Sequence, residues 1–588
     1  MVAVSLLKWK GLVVAAFAVV VAAAVVPARP ALAASFVVDS TTDAPDAAPG
    51  DGICAAAGGA CTLRAAVEEA NALSGPDAID LPAGTYALTL PPAGEMTGGG
   101  DLDVTENLTI TGDDAEDTII DGGGLDRVVD IFPGATLGIY RVTIRNGRTF
   151  GSAGGGIRNA GTLAMADSNV TDNATDSYGG GIANLGWLTV TGLTVRGNAA
   201  GTSGGISNTA AGSAEIVDSL VDQNTAVLEA GGVGSDGDLT ISDSVVARNT
   251  ADVAAGIGNR GTMAIGHSTL EENSATGDSG GVGNEAGATM EILSSTISHN
   301  TAEMFAGIGN GGTITLIAST VRDNEAATVG GGVTNGGNMT VNASTISTNS
   351  ATSGAGIVNG LNGTLTATNS TISRNSATSA GAGLNLGTLR LRSVTVAGNG
   401  ADEEGSAFLN AASLTLKNTL LARNGPTANC SGNGTIVSEG HNLDDDGSCG
   451  LGGPGDLAEV DSLIDIALFD HGGGTETHGF FSGSWAVDGG TDCPPADQRG
   501  VARPRGAACD IGAFEEEAPA SRRGDVNADG RANSLDAAIV LQFNAGLLDA
   551  LDDETSADAN NDRQVTAIDA SLILQTDAGF LDGLPPAS

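Results

Sequence analysis

Twelve residues near the C-terminal end of the chain have the types and spacing to hold calcium. Asp525, Asn527, Asp529 and Asp536 stand at positions 1, 3, 5 and 12 of a loop, Arg531 offers its backbone carbonyl at position 7, and Asn533 sits at position 9. The pattern recurs 33 residues later: Asp558, Asn560, Asp562 and Asp569 repeat the acidic and amide positions, with Gln564 and Thr566 at 7 and 9. Ca²⁺ needs roughly 6–8 oxygen ligands, and this spacing wraps them around one point, so the pair of loops predicts two bound ions. Gly530 suits the sharp turn at position 6 of the first loop. The second loop has Arg563 there, and a left-handed backbone would cost it about 1 kcal/mol, so the second site is expected to be the weaker.

The segments after the two loops also match. Leu541-Gln542 corresponds to Leu574-Gln575, and Ala545-Gly546 to Ala578-Gly579, so each loop leads into a helix. Leu535, Ile539, Leu541, Ile568, Leu572 and Leu574 are the residues expected to pack these helices together. Both loops end in Asp rather than Glu, and the first begins directly after a linker, which sets them apart from true EF-hands. A loop followed by a helix, duplicated within residues 524–588, resembles a type I dockerin. The resemblance implies a cohesin-type partner contacted through loop positions 10 and 11, here Ser534-Leu535 and Ala567-Ile568. The family often has a Ser/Thr pair at those positions, so the departure leaves partner specificity open. It also implies a module that folds only with calcium, because six aspartates in two small loops repel one another without a cation.

The body of the chain repeats itself. Aligned on the Asn of fragments such as Val-Thr-Asp-Asn and Ile-Ser-His-Asn, the span from Asn173 to Asn424 is 251 residues over ten intervals, or 25.1 residues each. An aliphatic residue stands three positions before each of these Asn, from Val170 through Ile297 to Leu421. A second column runs from Ile157 to Ile357 and a third from Leu163 to Leu414, separated by Gly clusters and Asn. Short apolar stretches repeating at this period, with turns that would break helices, predict a right-handed parallel β-helix. About eleven coils over residues 150–425 would stack the columns into one core, with the Asn as amide ladders at the turns.

Six cysteines form three sequence-close pairs, Cys54/Cys61, Cys430/Cys449 and Cys493/Cys509. In an exported chain they read as short-loop disulfides. The segment Cys61-Thr-Leu-Arg-Ala-Ala-Val-Glu-Glu-Ala-Asn71 reads as a short capping helix. It resembles the CSLREA-type N-terminal motif of secreted β-helix proteins, and residues Asp497–Glu515 look like the closing segment of that family. These resemblances bracket residues 35–515 and imply architecture, not activity. The expected organisation is a signal peptide over 1–34, an N-terminal cap and first strands over 35–92, the β-helix over 93–515, a linker over 516–523 and the dockerin-like domain over 524–588.

Export follows from the N-terminus. Lys8 and Lys10 precede the apolar run Gly11–Val26, and Ala31-Leu32-Ala33 fits a small-residue cleavage site. No other stretch is apolar enough to span a bilayer, so the mature chain is expected to be secreted, without membrane insertion. The net charge of −45 argues against nucleic acid or an anionic membrane as a partner. Glycine, at 89 of 588 residues, is far above the usual share, yet the regular aliphatic columns argue for order.

A search of the body for catalytic groups finds little. Asp218, Asp243 and His267 stand at one repeat position in three consecutive coils, where stacking would bring them together. Elsewhere this column holds Gly192, Ser294, Ala318, Asn369 and Asn418, so it reads as a turn. Arg503-Pro-Arg505 falls in the closing motif and reads as structural. His299, His441, His471 and His478 show no metal-ligand spacing. The repeats hold almost no aromatic platforms for sugar rings beyond Tyr178, Trp187 and Phe305. The catalytic residues are therefore unknown at this level. The reading is a β-helix in a polysaccharide-binding or adhesive role, attached by the calcium module to a cohesin-bearing surface or scaffold. The second reading is a polysaccharide-degrading enzyme, of the pectate-lyase-like or glycoside hydrolase kind, carried by the same module. A concave cluster of charged side chains would favour the enzyme, and a Ser/Thr/Asn face would favour binding.

Overall fold

The computed structural model describes residues 33–92, 99–481, 483–516, 523–527, 532–551, 554–581 and 584. The signal-peptide expectation over 1–34 falls almost wholly outside them, as do most of the linker and loop residues Asp529, Gly530 and Arg531.

The body is a parallel β-solenoid of four sheets. One coil contributes, in order, strands such as Ile257–Asn259, Thr262–Gly266, Thr269–Glu271 and Ser274–Ala275. The five-residue strands form a first sheet of 16 strands, the three-residue strands that precede them a second of 14, and those that follow a third of 16. The fourth sheet, of 11 strands, closes each coil. Every neighbouring strand pair runs parallel, and in the first three sheets like positions fall in register, as in Ile257↔Val282 and Leu270↔Ile297, while the fourth sheet carries register shifts. Burial alternates along the strands, so the three aliphatic columns point inward into one continuous core, and Ile297 is fully buried.

Three bends per coil use left-handed backbone, as at His267, Glu272 and Ser279. The first is the column of Asp218, Asp243 and His267, whose φ angles are 49°, 51° and 50°. Their side chains are exposed, so the turn reading holds and no acid–base cluster forms there. The Asn that follow the second bend are buried and chained. Asn273 Nδ2 donates to Asn300 Oδ1 at 3.0 Å and also to the Val246 carbonyl at 2.9 Å, while Asn273 N–H donates to the same Asn300 oxygen. A buried amide ladder satisfies the backbone groups that the bend leaves without strand partners. A second Asn ladder, including Asn284 to Asn310 at 2.8 Å, lines another corner.

The N-terminal end is capped by α1 (Leu63–Ala72), N-capped by Thr62. Its Arg64 pairs with Asp43 at 2.7 Å and donates to the carbonyls of Gly100 and Asp101, tying the cap to the first coil. All three expected disulfides form: Cys54–Cys61, Cys430–Cys449 and Cys493–Cys509. The chain from 464 to 515, which ends in the closing segment, lies along the outer face of the third sheet. Its Ile464, Ala486 and Ile511 pack on Ala397, Leu420 and Ala422, which alternate with core residues on their strands. Arg503 is buried beside Glu515 at 3.5 Å and donates to the carbonyls of Asp510 and Gly512, so it serves this packing.

At the other end of the chain, α2 (Ser534–Asn544), α3 (Glu554–Ala557) and α4 (Ala567–Asp577) build a small helical unit. Its core is Val526, Ala537, Val540, Ala557, Ala559, Ala570 and Ile573. This corrects one expectation. Leu535, Leu541, Ile568 and Leu574 are exposed, and Ile539 and Leu572 are only partly buried. The inward stripe runs through small residues at 537 and 570 and through 540 and 573, because α2 and α4 approach closely there.

Candidate functional site: the duplicated acidic loops and a charged cluster at the first coils

The two acidic loops are built alike. Asn533 and Thr566, at loop position 9, are the N-caps of α2 and α4, and each forms a capping box with the Asp three residues on. Asp536 is fully buried; one of its oxygens accepts from the N–H groups of Val526 and Asn527 at 2.8 and 3.0 Å, the other from Asn533 N–H. Asp569 is placed the same way, accepting from Asn560 N–H at 3.1 Å and Thr566 N–H at 2.8 Å. Position 12 thus clamps the loop's start to its helix. In the second loop, Asp558 accepts from the N–H groups of Asp562 and Arg563, and Asp562 accepts from Gln564 N–H. Arg563 has φ 67°, the left-handed backbone anticipated for it.

The donor set fits a hard cation. Asp525, Asn527, Asn533 and Asp536, with Asp558, Asn560, Asp562, Gln564, Thr566 and Asp569, offer oxygen only. Asp536 and Asp569 are buried with no Lys or Arg within 4.0 Å among the described residues. Buried carboxylates of this kind are held by paired charge or by a metal. The carboxylates of Asp558, Asp562 and Asp569 do not close to within 4.8 Å of one another. Ser534, Leu535, Ala567 and Ile568 are all exposed at the helix starts, with Leu535 57% and Ile568 61% accessible.

A second charged site went unread in the sequence. On the outward side of the second sheet, Asp103, Asp130 and Arg158 are register partners in successive coils. Asp101, Asp103 and Asp130 bring carboxylate oxygens within 4.8 Å of one another. Arg127 pairs with Asp130 at 2.7 Å and Asp101 at 3.4 Å, and Arg158 with Asp130 at 2.9 Å. Burial pushes the Asp101 carboxyl up to about 7, against the lowering influence of Arg127. A cavity of about 470 Å³ between α1 and the strand Leu102–Val104 is lined by Arg64, Glu68, Asn71, Asp101 and Asp103. A carboxyl that titrates near 7 beside the ion-paired Asp130 can exchange a proton near neutrality. The register rule could have found it: Asp-Leu-Asp at 101–103 and Arg-Val-Val-Asp at 127–130 lie one coil apart.

Three of the histidines make structural contacts: His441 and His478 contact the carbonyls of Gly489 and Asp465, and His471 the Thr477 hydroxyl.

A family model described as the dockerin type I domain matches residues 523–576, so the chain carries that domain. Such domains bind calcium and attach the proteins that bear them to cohesin. No curated protein matches the chain. The solved structure titled "Crystal structure of pectate lyase Pel9A" is similar over 83% of this chain and 98% of that chain, at 12% identity and a TM-score of 0.27. At that score the likeness carries no argument about activity. No helix among the described residues is long and apolar enough to cross a membrane.

Proposed function

We propose that this chain is exported by residues 1–34 and held on a cohesin-bearing cell surface or extracellular scaffold, where its β-helix binds or adheres to polysaccharide. The observation that carries the attachment is the dockerin type I match over residues 523–576, laid on two loops of like build. Two calcium ions are assigned, one to Asp525, Asn527, Asp529, Arg531, Asn533 and Asp536, the other to Asp558, Asn560, Asp562, Gln564, Thr566 and Asp569. The exposed pairs Ser534-Leu535 and Ala567-Ile568 are assigned to the cohesin contact, since apolar side chains left in solvent at matching places mark an interaction face.

The binding role of the body is supported by its outward strand positions, which are mostly Thr, Ser and Asn through the middle coils. The enzyme reading is kept alive by one observation, the Asp101–Asp103–Asp130 group beside its cavity.

The attachment is tested by passing the full chain over immobilised type I cohesin with calcium present. Retention is expected, and Leu535→Asp with Ile568→Asp should weaken it more than tenfold. A wild-type chain that passes through unretained refutes the docking role.

A further inference from the structure

The outward face of the first sheet changes its charge along the solenoid. The strand Thr289–Leu293 presents Glu291. The next three, Thr313–Ile317, Asn338–Asn342 and Thr364–Thr368, present only uncharged groups, with Thr315, Thr340 and Thr366 in register. Then Thr388–Arg392 presents Arg390 and Arg392, and Ser413–Lys417 presents Lys417. Arg392 is the register partner of Lys417, about 4.8 Å away across the sheet, and Arg390 stands on the same face two residues earlier.

Three cations together are unexpected in a chain with 70 acidic and 25 basic residues, whose only lysine beyond Lys10 is Lys417. Like charges directly opposite on a sheet destabilise it. Several arginines elsewhere are neutralised: Arg145, Arg158, Arg196, Arg248 and Arg260 each face a carboxylate. Here no carboxylate of the described residues lies within 4.0 Å of any of the three. Arg392 donates to the Asp492 carbonyl, and Lys417 donates to the Glu439 carbonyl at 3.3 Å, not to its carboxylate. Both contacts leave the positive charge uncompensated, and Arg390 is exposed.

We propose that this end of the first sheet is a binding site for a carboxylate-bearing polysaccharide, a uronate polymer. The inference rests on the polysaccharide-binding reading above and names its ligand class. The guanidinium forks of Arg390 and Arg392 match planar carboxylates bidentately, and Lys417 adds a point charge one strand on. The uncharged threonine track beside them offers hydroxyls to the neutral parts of the same chain. The overall negative charge does not forbid this. The screening length is about 8 Å at physiological ionic strength, so the local excess decides what approaches.

The test is titration calorimetry of the full chain with polygalacturonate, a sulfated galactan and a neutral galactan, calcium held constant. Polygalacturonate should bind. The triple variant Arg390→Gln, Arg392→Gln, Lys417→Gln should lose at least tenfold in affinity, and its dependence on salt should flatten. Its melting temperature and cohesin retention should not change, since the three side chains are peripheral. Undiminished binding by the triple variant overturns the site, and preference for the sulfated polymer overturns the uronate assignment. Equal binding of the neutral galactan overturns the anionic ligand but leaves the polysaccharide reading standing, whereas binding to none of the three overturns both.

Discussion

Gln498 and Thr345 lie 153 residues apart in the chain, yet Gln498 Nε2 donates to the Thr345 hydroxyl at 2.9 Å. The same amide donates to Thr475 at 2.8 Å, and its Oε1 accepts from Thr371 at 2.7 Å. Gln498 is buried, so it joins the closing segment to two successive coils from inside their contact.

Gln498→Ala should therefore cost about 1–2 kcal/mol, since it leaves the buried Thr371 hydroxyl without a partner, while the Thr345 and Thr475 hydroxyls keep the carbonyls of Glu476 and Ala343. Hydrogen exchange should quicken across residues 464–514 and stay unchanged in the coils before Thr296. Unchanged exchange in the closing segment would mean that the apolar packing of Ile464, Ala486 and Ile511 holds it alone.

Acid should loosen the same contact through His478. Its Nδ1 faces the Asp465 carbonyl at 2.8 Å and must donate, so its Nε2 accepts from the Ser373 hydroxyl at 2.8 Å in the neutral ring. Burial, aided by the nearby Arg374, lowers its pKa to about 4. The unfolded ring titrates near 6.5, so between roughly pH 6.5 and 4 the unfolded chain binds the proton and the folded one does not. The stabilisation is present above pH 6.5 and is lost on acidification, on the order of 3 kcal/mol in all. Asp101 and Asp510, each raised to about 7, carry the opposite sign over the same range. Denaturation midpoints of the wild type and His478→Gln, compared at pH 7 and 4.5, isolate the histidine. The gap between them should narrow at the lower pH, and a constant gap contradicts the buried neutral ring.

Architecture was legible because a solenoid repeats its physics. Each coil buries the same positions, so the aliphatic column through Ile297 and the Asn column through Asn300 stand out at one period. The bends were legible for the same reason: a column that tolerates Gly, Asn, Asp and His alike is being selected for left-handed backbone. What did not repeat was hard to read. The Asp101, Arg127 and Asp130 cluster arises where the first coils meet α1, before the 25-residue period is established. The chain from 464 to 515 binds through single residues such as Gln498 and His478, whose partners only the folded chain brings near. In the helical module, apolar residues recur every few positions and suggest a core. The two helices pack through Ala537 and Ala570 instead, which leaves Leu535 and Ile568 in solvent. The like build of the two acidic loops was readable because position 12 and its N-cap recur with the loop.

In the function proposed above, attachment depends on calcium. Six aspartates in two loops, with Asp536 and Asp569 buried among N–H donors, leave the module short of both positive charge and apolar burial without a cation. Scanning calorimetry of the full chain, with calcium and then with chelator, measures this directly. A separate transition belonging to residues 523–584 should be present with calcium and vanish with chelator, while the main β-helix transition stays in place. Asp525→Ala and Asp536→Ala should lower that small transition and leave the large one alone. A thermogram that chelator does not change would contradict the calcium-held docking module.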